Sequence, residues 1–190
     1  MSCLMRRAPG DPWDGLAPAL KAHYREGSSV ETGLLTIEFP RAMRPVLWAL
    51  RGLGALLDRA GRDVQTLVER ECIGEREYWR RTLRYPDGTT LRFDTVRVPA
   101  REGRLIEFVN PLLGLEFAPR IVGSQMHYRG VRFVLRLADR DLTIPQWLAL
   151  GTGSIIEQAI DDQLFFIDFR LRHPILGEWF RYSGTFRADV

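Results

Sequence analysis

The sequence predicts a mainly β protein of the α+β class. We expect an antiparallel, strongly curved sheet or barrel of about ten strands, with one or two N-terminal helices packed on it. From Val64 onward, apolar residues recur with a period of about 2, as strands require. The segments between these runs are short and turn-like, and short connections join antiparallel neighbours. Sheets of so many strands usually curl, split or close, so a two-layer sandwich is the main alternative.

Length and composition indicate one domain with a full core. The chain has 190 residues, of which 45% are hydrophobic and 27% charged, and a chain of this size buries roughly 70% of its unfolded surface. Residues 1–12 contain two prolines and a glycine, so we expect a disordered N-terminal tail and a single β-rich domain over 13–190. The formal charge is only +3 and the arginines alternate with acidic residues, which argues against nucleic-acid binding.

Several functional classes are not indicated by the sequence. Cys3 and Cys72 do not form a disulfide framework or a metal-ligand spacing. The N-terminus lacks the apolar stretch of a signal peptide, and no run of about 18 apolar residues predicts a membrane span. The glycine triplets at 52–54 and 151–153 lack the spacing of a dinucleotide-binding fingerprint. We therefore expect a cytoplasmic protein without a metal or cofactor.

Two helices are predicted before the strands. Residues 16–24 have apolar residues at helical spacing, and Pro18 falls in the first turn, where proline is tolerated. Residues 44–61 set Leu47, Leu50, Leu53 and Leu57 on one stripe, widened by Val46 and Leu56. Pro45 suits the first turn of this second helix and Gly61 its end.

The strands follow from alternation of apolar and polar residues. They are predicted at 34–39, 64–71, 75–84, 89–98, 104–109, 114–118, 124–128, 131–138, 153–160, 164–172 and 179–187. Pro-Asp-Gly at 86–88 is a turn, because proline presets one φ and glycine takes a positive one. Residues 144–150 and 173–179 each carry a proline followed by bulky apolar residues, so we expect packed loops or single helical turns there.

A series of short motifs in this order resembles a known bacterial family. The motifs are PALKAHYREG, RPVLWALRGLG, Glu77-x-Trp79 with Arg81, IEFVNPLLGLEF, IPQWL and DFRLRHPILGEWFRYSGTFR. Together they are similar to the family called domain of unknown function 4166, and the resemblance extends from about Leu16 to Phe186. This chain differs where FVNP replaces the usual F-G-P and where TIPQWLA replaces a more proline-rich loop.

The resemblance implies little chemistry. Such domains are often fused behind a saccharopine-dehydrogenase-like NAD(P)-binding region, and no catalytic residue is established for them. Because this chain lacks the dinucleotide-binding fingerprint, we expect a stand-alone member of the family. The fusions seen in the family imply that it could be an accessory domain for a separate NAD(P)-dependent reductase.

The segment EREYWRRTL places Glu77, Trp79 and Arg81 on one face of a strand. On a solvent-facing side, these residues would form a cation–π and salt-bridge ladder. Inside a barrel, they would form a tryptophan wall with one carboxylate and one guanidinium. Ligand cavities are mostly apolar with a few placed polar groups, so both interpretations stay open.

Glu107 and Glu157 raise the same question, since each follows apolar residues in a predicted strand. A lone carboxyl facing an apolar interior would have a raised pKa and could move protons. The alternative is that the strand face carrying each glutamate is exposed to solvent. His23 is either a helix-end residue that hydrogen-bonds a neighbour or a general base at a barrel mouth.

The segment LFFIDFRL (164–171) sets Phe165, Ile167, Phe169 and Leu171 on one apolar face. The other face begins with Leu164 and Phe166 and ends with Asp168 and Arg170. This gradient predicts that Asp168 and Arg170 lie at a rim, paired with each other or with a neighbouring strand, and facing either bulk water or a pocket mouth.

These patterns lead to three functional hypotheses. The first is a barrel that binds a small hydrophobic molecule, polyketide- or lipid-like, in a cavity of at least about 300 Å³. The second is an acid–base enzyme of the isomerase or cyclase type that uses carboxylates in the same cavity. The third is the accessory domain. The candidate ligand-binding residues are His23, Tyr24, Glu77, Trp79, Arg81, Glu107, Trp147, Glu157, Asp168, Arg170 and Tyr182.

Overall fold

The computed structural model describes residue 4 and residues 13–52, 54, 57–137 and 140–188. Its two α-helices are α1 (Pro18–His23) and α2 (Arg44–Gly52). The strands are β1 (Ser28–Glu38), β2 (Gly61–Ile73), β3 (Arg76–Arg84), β4 (Thr90–Pro99), β5 (Leu105–Phe108), β6 (Leu113–Val122), β7 (Gln125–Leu137), β8 (Arg140–Ile144), β9 (Thr152–Ala159), β10 (Leu164–His173) and β11 (Gly177–Ala188). The expected disordered tail falls on residues outside the described part, apart from Leu4.

The strands form a closed barrel. Their order is β6-β5-β4-β3-β2-β1-β11-β10-β9-β7-β8, and a further pairing between β6 and β7 closes a ring of ten antiparallel strands. The short strand β8 lies outside the ring and pairs with the second half of β7. The barrel prediction is confirmed, and closure excludes the alternative of two separate layers.

Some predicted boundaries were wrong. The segment HYRGV, predicted as a turn, lies within β7, which is one continuous strand. A Cβ added at Gly130 would lie only 2.9 Å from the carbonyl oxygen of Gly153, so this glycine permits close approach of β7 and β9 rather than a turn. Strand β8 was not predicted because it is short and four of its five residues are exposed, and the alternation of Leu142 and Ile144 with polar residues is too brief to indicate a strand.

Strand β1 begins at Ser28, six residues before the predicted start. In this part of the strand the apolar Val30 is exposed, whereas the polar Ser29 and Glu31 are buried. Hydrophobic alternation therefore has the wrong phase here, and the sequence pattern could not reveal the strand.

Helix α2 is shorter than the predicted 44–61 segment. It ends at Gly52, and Gly54 follows with a positive φ of 69° while its N–H donates to the carbonyl of Arg51. Leu47 is the fully buried residue of this helix, Leu50 is partly buried, and Val46 is exposed. Leu57 is buried beyond the helix, whereas Leu53 and Leu56 lie outside the described residues.

The two ends of the barrel are distinct. Helix α1 contacts β9, β10 and β11 where β1 begins, and we call this the α1 end. The register pairs Glu38 of β1 with Arg181, and Arg172 with both Glu178 and Thr152. The β1–β2 connection with α2, the β8–β9 loop and the β10–β11 turn therefore share the opposite end, the α2 end.

No helix among the described residues is long and apolar enough to cross a membrane.

Candidate functional site

The face of β3 that carries Glu77, Trp79 and Arg81 points into the barrel. Glu77 and Trp79 are buried, and Arg81 is largely buried. The alternate residues of the strand lie on its outer face: Arg76, Tyr78 and Arg80. The interior interpretation of this segment is therefore the one that the structure supports. It places a tryptophan and two oppositely charged groups inside a closed barrel.

Strands β4 and β5 complete a charged cluster around Trp79, which we call the Glu107 cluster (Trp79, Arg81, Thr95, Arg97 and Glu107). Glu107 accepts hydrogen bonds from Arg97 Nε at 2.9 Å and from the hydroxyl of Thr95 at 2.7 Å, and it lies 3.3 Å from Arg81 Nη2. Thr95 also accepts a hydrogen bond from Arg81. The Arg97 guanidinium lies 4.4 Å from the ring centroid of Trp79, within cation–π range.

This environment determines the pKa of Glu107. Burial by itself would raise the pKa, but the guanidinium groups of Arg97 and Arg81 and the hydrogen bond from Thr95 outweigh it and hold the pKa at about 2. The sequence had suggested a lone carboxyl with a raised pKa, and for Glu107 that was wrong. At neutral pH, Glu107 is therefore an ionised counter-charge for Arg97 and Arg81.

A second cluster lies nearby, which we call the Glu157 cluster (His23, Tyr24, Glu31, Tyr128 and Glu157). His23 and Tyr24 reach the interior from the end of α1. His23 Nδ1 lies 2.7 Å from Glu31 Oε1 and its Nε2 lies 3.8 Å from Glu157 Oε1. The hydroxyl of Tyr24 donates to Glu157 and also contacts the hydroxyl of Tyr128.

Glu157 has the raised pKa that an interior carboxyl is expected to show. Burial raises its pKa to about 7, and His23 offsets only part of this effect. Unlike Glu107, it has no guanidinium partner among the described residues. A carboxyl with a pKa near neutrality exists in both protonation states at physiological pH and can therefore donate or accept a proton.

The two clusters are in contact within the barrel. The ring centroids of His23 and Trp79 are 5.4 Å apart, and the Arg97 guanidinium lies 5.5 Å from the ring of Tyr128. His23, Glu157, Trp79 and Arg97 also line one cavity of about 40 Å³. Together they form a continuous polar site beneath α1.

A second, mainly apolar cavity of about 70 Å³ lies next to the first. Its wall includes Phe117, Phe133, Leu150 and Phe169, together with Glu107. The residues shared by both cavities are Phe93, Ile155 and Tyr182, and burial raises the pKa of Tyr182 to about 12. Each cavity holds only one or two water molecules at about 30 Å³ each. Neither of these two cavities is therefore large enough for the polyketide- or lipid-sized molecule of the first hypothesis.

Three candidate residues lie outside the interior. Asp168 is on the outer face of β10, where Arg170 and Arg181 donate hydrogen bonds to it at 2.6 and 2.9 Å and lower its pKa despite partial burial. The predicted pairing of Asp168 with Arg170 and with a neighbouring strand is thus observed. It lies midway along the outer wall rather than at a rim, because Asp168 is in register with Ser183 and Ile156. Asp168 is buried beneath the two arginines, whose side chains are partly exposed. Trp147 is exposed in the β8–β9 loop.

Sequence reasoning missed several interior residues. Phe93, Thr95 and Arg97 alternate along β4, so the reasoning applied to β3 could have found Arg97. Glu31 had no comparable signal, because its part of β1 was not predicted as a strand. Arg70 is fully buried and lies 4.0 Å from Glu77. Nothing in the sequence indicated this burial, because Arg70 stands between Glu69 and Glu71. Within the described ranges, no group of three or more His, Cys, Asp or Glu residues could hold a metal ion.

The fold and site define a closed, ten-stranded antiparallel β-barrel domain that encloses ionisable side chains. The chain belongs to the family described as Domain of unknown function (DUF4166), whose model matches residues 16–186. It is similar to "Uncharacterized protein YndH" of Bacillus subtilis (strain 168), with 25% identity over 190 residues that cover 92% of this chain and 91% of that protein. No solved structure matches the chain.

Proposed function

We propose that the barrel binds a small, partly apolar molecule in its interior. The observation that carries this proposal is the gathering of His23, Trp79, Arg97 and Glu157 around one interior cavity. Buried ionisable groups often stabilise a fold less than apolar residues of the same volume would, and strongly perturbed carboxyls concentrate at functional sites. A ligand would place a hydrogen-bonding group beside the Glu157 cluster and its apolar part in the neighbouring cavity.

The size of the cavities limits the ligand. An apolar cavity of about 150 Å³ is enough to bind benzene. Small movements of Phe93, Ile155 and Tyr182, which line both cavities, would join them and bring their volume toward this size. The proposed ligand class is therefore a single-ring or similarly small molecule with one polar group. We keep the expected cytoplasmic location as part of this proposal.

A titration with phenol tests the proposal, because phenol combines one ring with one hydroxyl. We expect amide shifts in ¹H–¹⁵N NMR spectra centred on β9 and β3, with saturation in the millimolar range. Ile155→Trp fills both cavities and is expected to weaken phenol binding at least about tenfold. Ile156→Trp is the matched control, since the neighbouring Ile156 is on the outer face of the same strand.

Two results would contradict binding in the interior: no saturable shifts of interior amides, or equal phenol affinity in the two tryptophan variants. If Ile155→Trp does not fold, Ile155→Phe gives a smaller reduction of the same cavities. Circular dichroism spectra establish which variants are folded.

A second candidate function is acid–base catalysis in the same cavity, and the pKa of about 7 at Glu157 favours it. A small ketone can report on this activity, since a general base removes protons next to its carbonyl. We expect the protein to accelerate hydrogen–deuterium exchange of cyclohexanone in D₂O and Glu157→Gln to reduce this acceleration about a hundredfold or more. Glu178→Gln, on the surface, should leave the rate unchanged.

If the Glu157→Gln variant exchanges cyclohexanone as fast as the unaltered protein, Glu157 is not a general base for this probe. The expected partnership with a separate NAD(P)-dependent reductase stays a prediction that rests on the family resemblance.

A further inference from the structure

The α2 end of the barrel carries a group of exposed, large apolar side chains, which we call the apolar rim. They come from α2, the β5–β6 turn, the β8–β9 loop and the β10–β11 turn: Val46, Trp48, Leu112, Trp147, Leu148, Ile175 and Leu176. Ile175 is 87% exposed, Trp48 75% and Trp147 64%. Single exposed apolar residues are ordinary, but a group of this size at one end indicates an interaction surface.

Ordered contacts hold these loops in place. Trp179 Nε1 donates to the carbonyl of Leu150 at 2.8 Å, and His173 Nε2 lies 3.1 Å from the carbonyl oxygen of Trp147. The β8–β9 loop is therefore fastened to the β10–β11 hairpin. These contacts fix the backbone that carries three exposed side chains of the rim: Trp147, Leu148 and Ile175.

Among the described residues of the α2 end, arginines outnumber acidic residues, although Glu38 and Asp63 are also exposed there. Asp58 pairs with Arg51, and Glu178 with Arg172 and Arg170. Asp87 pairs with Arg59, and Asp141 with Arg136. Arg41 and Arg44, immediately before and at the start of α2, are exposed and form no ion pair with any described residue. The rim thus combines apolar tips with two exposed guanidinium groups that form no ion pair within the described part of the chain.

We propose that the apolar rim docks the barrel on an anionic lipid surface. Tryptophan is favoured at the boundary between lipid headgroups and acyl chains, and aliphatic tips insert beside it. Arg41 and Arg44 would contact lipid phosphates, and a basic residue near an anionic bilayer strengthens binding about fivefold. The apolar side chains of the rim come from four separate connections. A protein partner would need a surface complementary to all of them, whereas a fluid bilayer adapts to their shape. This inference goes beyond the proposed function and does not depend on interior binding.

Co-sedimentation with vesicles tests the inference on the full chain. We expect binding to vesicles of phosphatidylglycerol and phosphatidylcholine and little binding to phosphatidylcholine alone. Arg41→Gln with Arg44→Gln should weaken the binding about thirtyfold, and Trp147→Ala with Ile175→Ser at least about tenfold. The matched control is Ile73→Ser with Ile160→Ser, which removes two exposed isoleucines at the α1 end and should leave binding unchanged.

Three outcomes overturn the inference. They are absence of binding to anionic vesicles, an equal loss of binding in the α1-end control, and concentration-dependent self-association that the rim variants abolish. The last outcome, measured by light scattering without lipid, would show that the rim is an interface between protein copies. All substituted residues are exposed, so the variants are expected to fold.

Discussion

Glu107→Ala is expected to lower the free energy of unfolding by about 3–5 kcal/mol, because it leaves buried guanidinium groups without their counter-charge. Arg97 would lose its hydrogen bond to the Glu107 carboxylate, and Arg81 its ion pair. Thr95 would lose its acceptor. Urea unfolding at pH 7, followed by circular dichroism, measures the effect.

Glu71→Ala is the matched control for this experiment, because Glu71 pairs with Arg80 on the exposed surface of neighbouring strands. Exposed pairs contribute about 0–1 kcal/mol, so the control should cost no more than that. Equal losses in the two variants would contradict the interior role of Glu107.

The same environment predicts a loss of stability in acid. The pKa of Glu107 is about 2 in the folded protein, below its ordinary value of 4.5. The stability that its ionised form contributes is therefore present above about pH 5 and is lost as the pH falls toward 2.

Glu157→Gln is expected to stabilise the protein at pH 8 by up to about 3 kcal/mol and to have little effect at pH 4. Burial raises the pKa of Glu157 from its ordinary value of 4.5 to about 7. Between these values the unfolded chain releases the proton that the folded protein retains, so the free energy of unfolding falls as pH rises by about 1.4 kcal/mol per pH unit. Above pH 7 the folded protein bears the whole free-energy cost of a buried, ionised carboxylate. Glutamine removes this cost and keeps a hydrogen-bond acceptor for Tyr24.

Urea unfolding at pH 4, 6 and 8 checks this prediction, with Glu71→Gln as a variant whose effect should not depend on pH in this range. A Glu157→Gln variant that is less stable than the unaltered protein at pH 8 would show that the ionised carboxylate is well stabilised inside the barrel. That result would also remove the argument for Glu157 as a proton carrier.

The two glutamates differ in what their ionised forms do to the fold. Glu107 balances buried arginines, whereas Glu157 has a histidine and two tyrosines around it. An ionised carboxylate at Glu157 lowers the stability of the fold. Carboxyl groups with strongly shifted pKa values concentrate at sites that bind a ligand or transfer a proton.

Much of the fold could be predicted from the sequence because strands alternate their side chains. The period of 2 in EREYWRRTL placed Glu77, Trp79 and Arg81 on one face, and short turns indicated antiparallel neighbours. The prediction failed where the pattern was inverted, as at Val30 and Glu31, or too short, as in β8. Helix α2 was predicted too long because apolar spacing continues beyond Gly52, although the chain turns at Gly54.

The sequence by itself determined which residues share a strand face, since that depends only on the local backbone. It could not determine which face is enclosed, because enclosure requires the first strand, β1, to pair with the last, β11, about 150 residues away in sequence. Only the tertiary structure brought Arg97 to Glu107 and His23 to Glu157, and these neighbours and their burial set the two carboxyl pKa values in opposite directions. A pKa depends on charges and solvent within a few ångströms in space, and the residues that supply them here come from different elements.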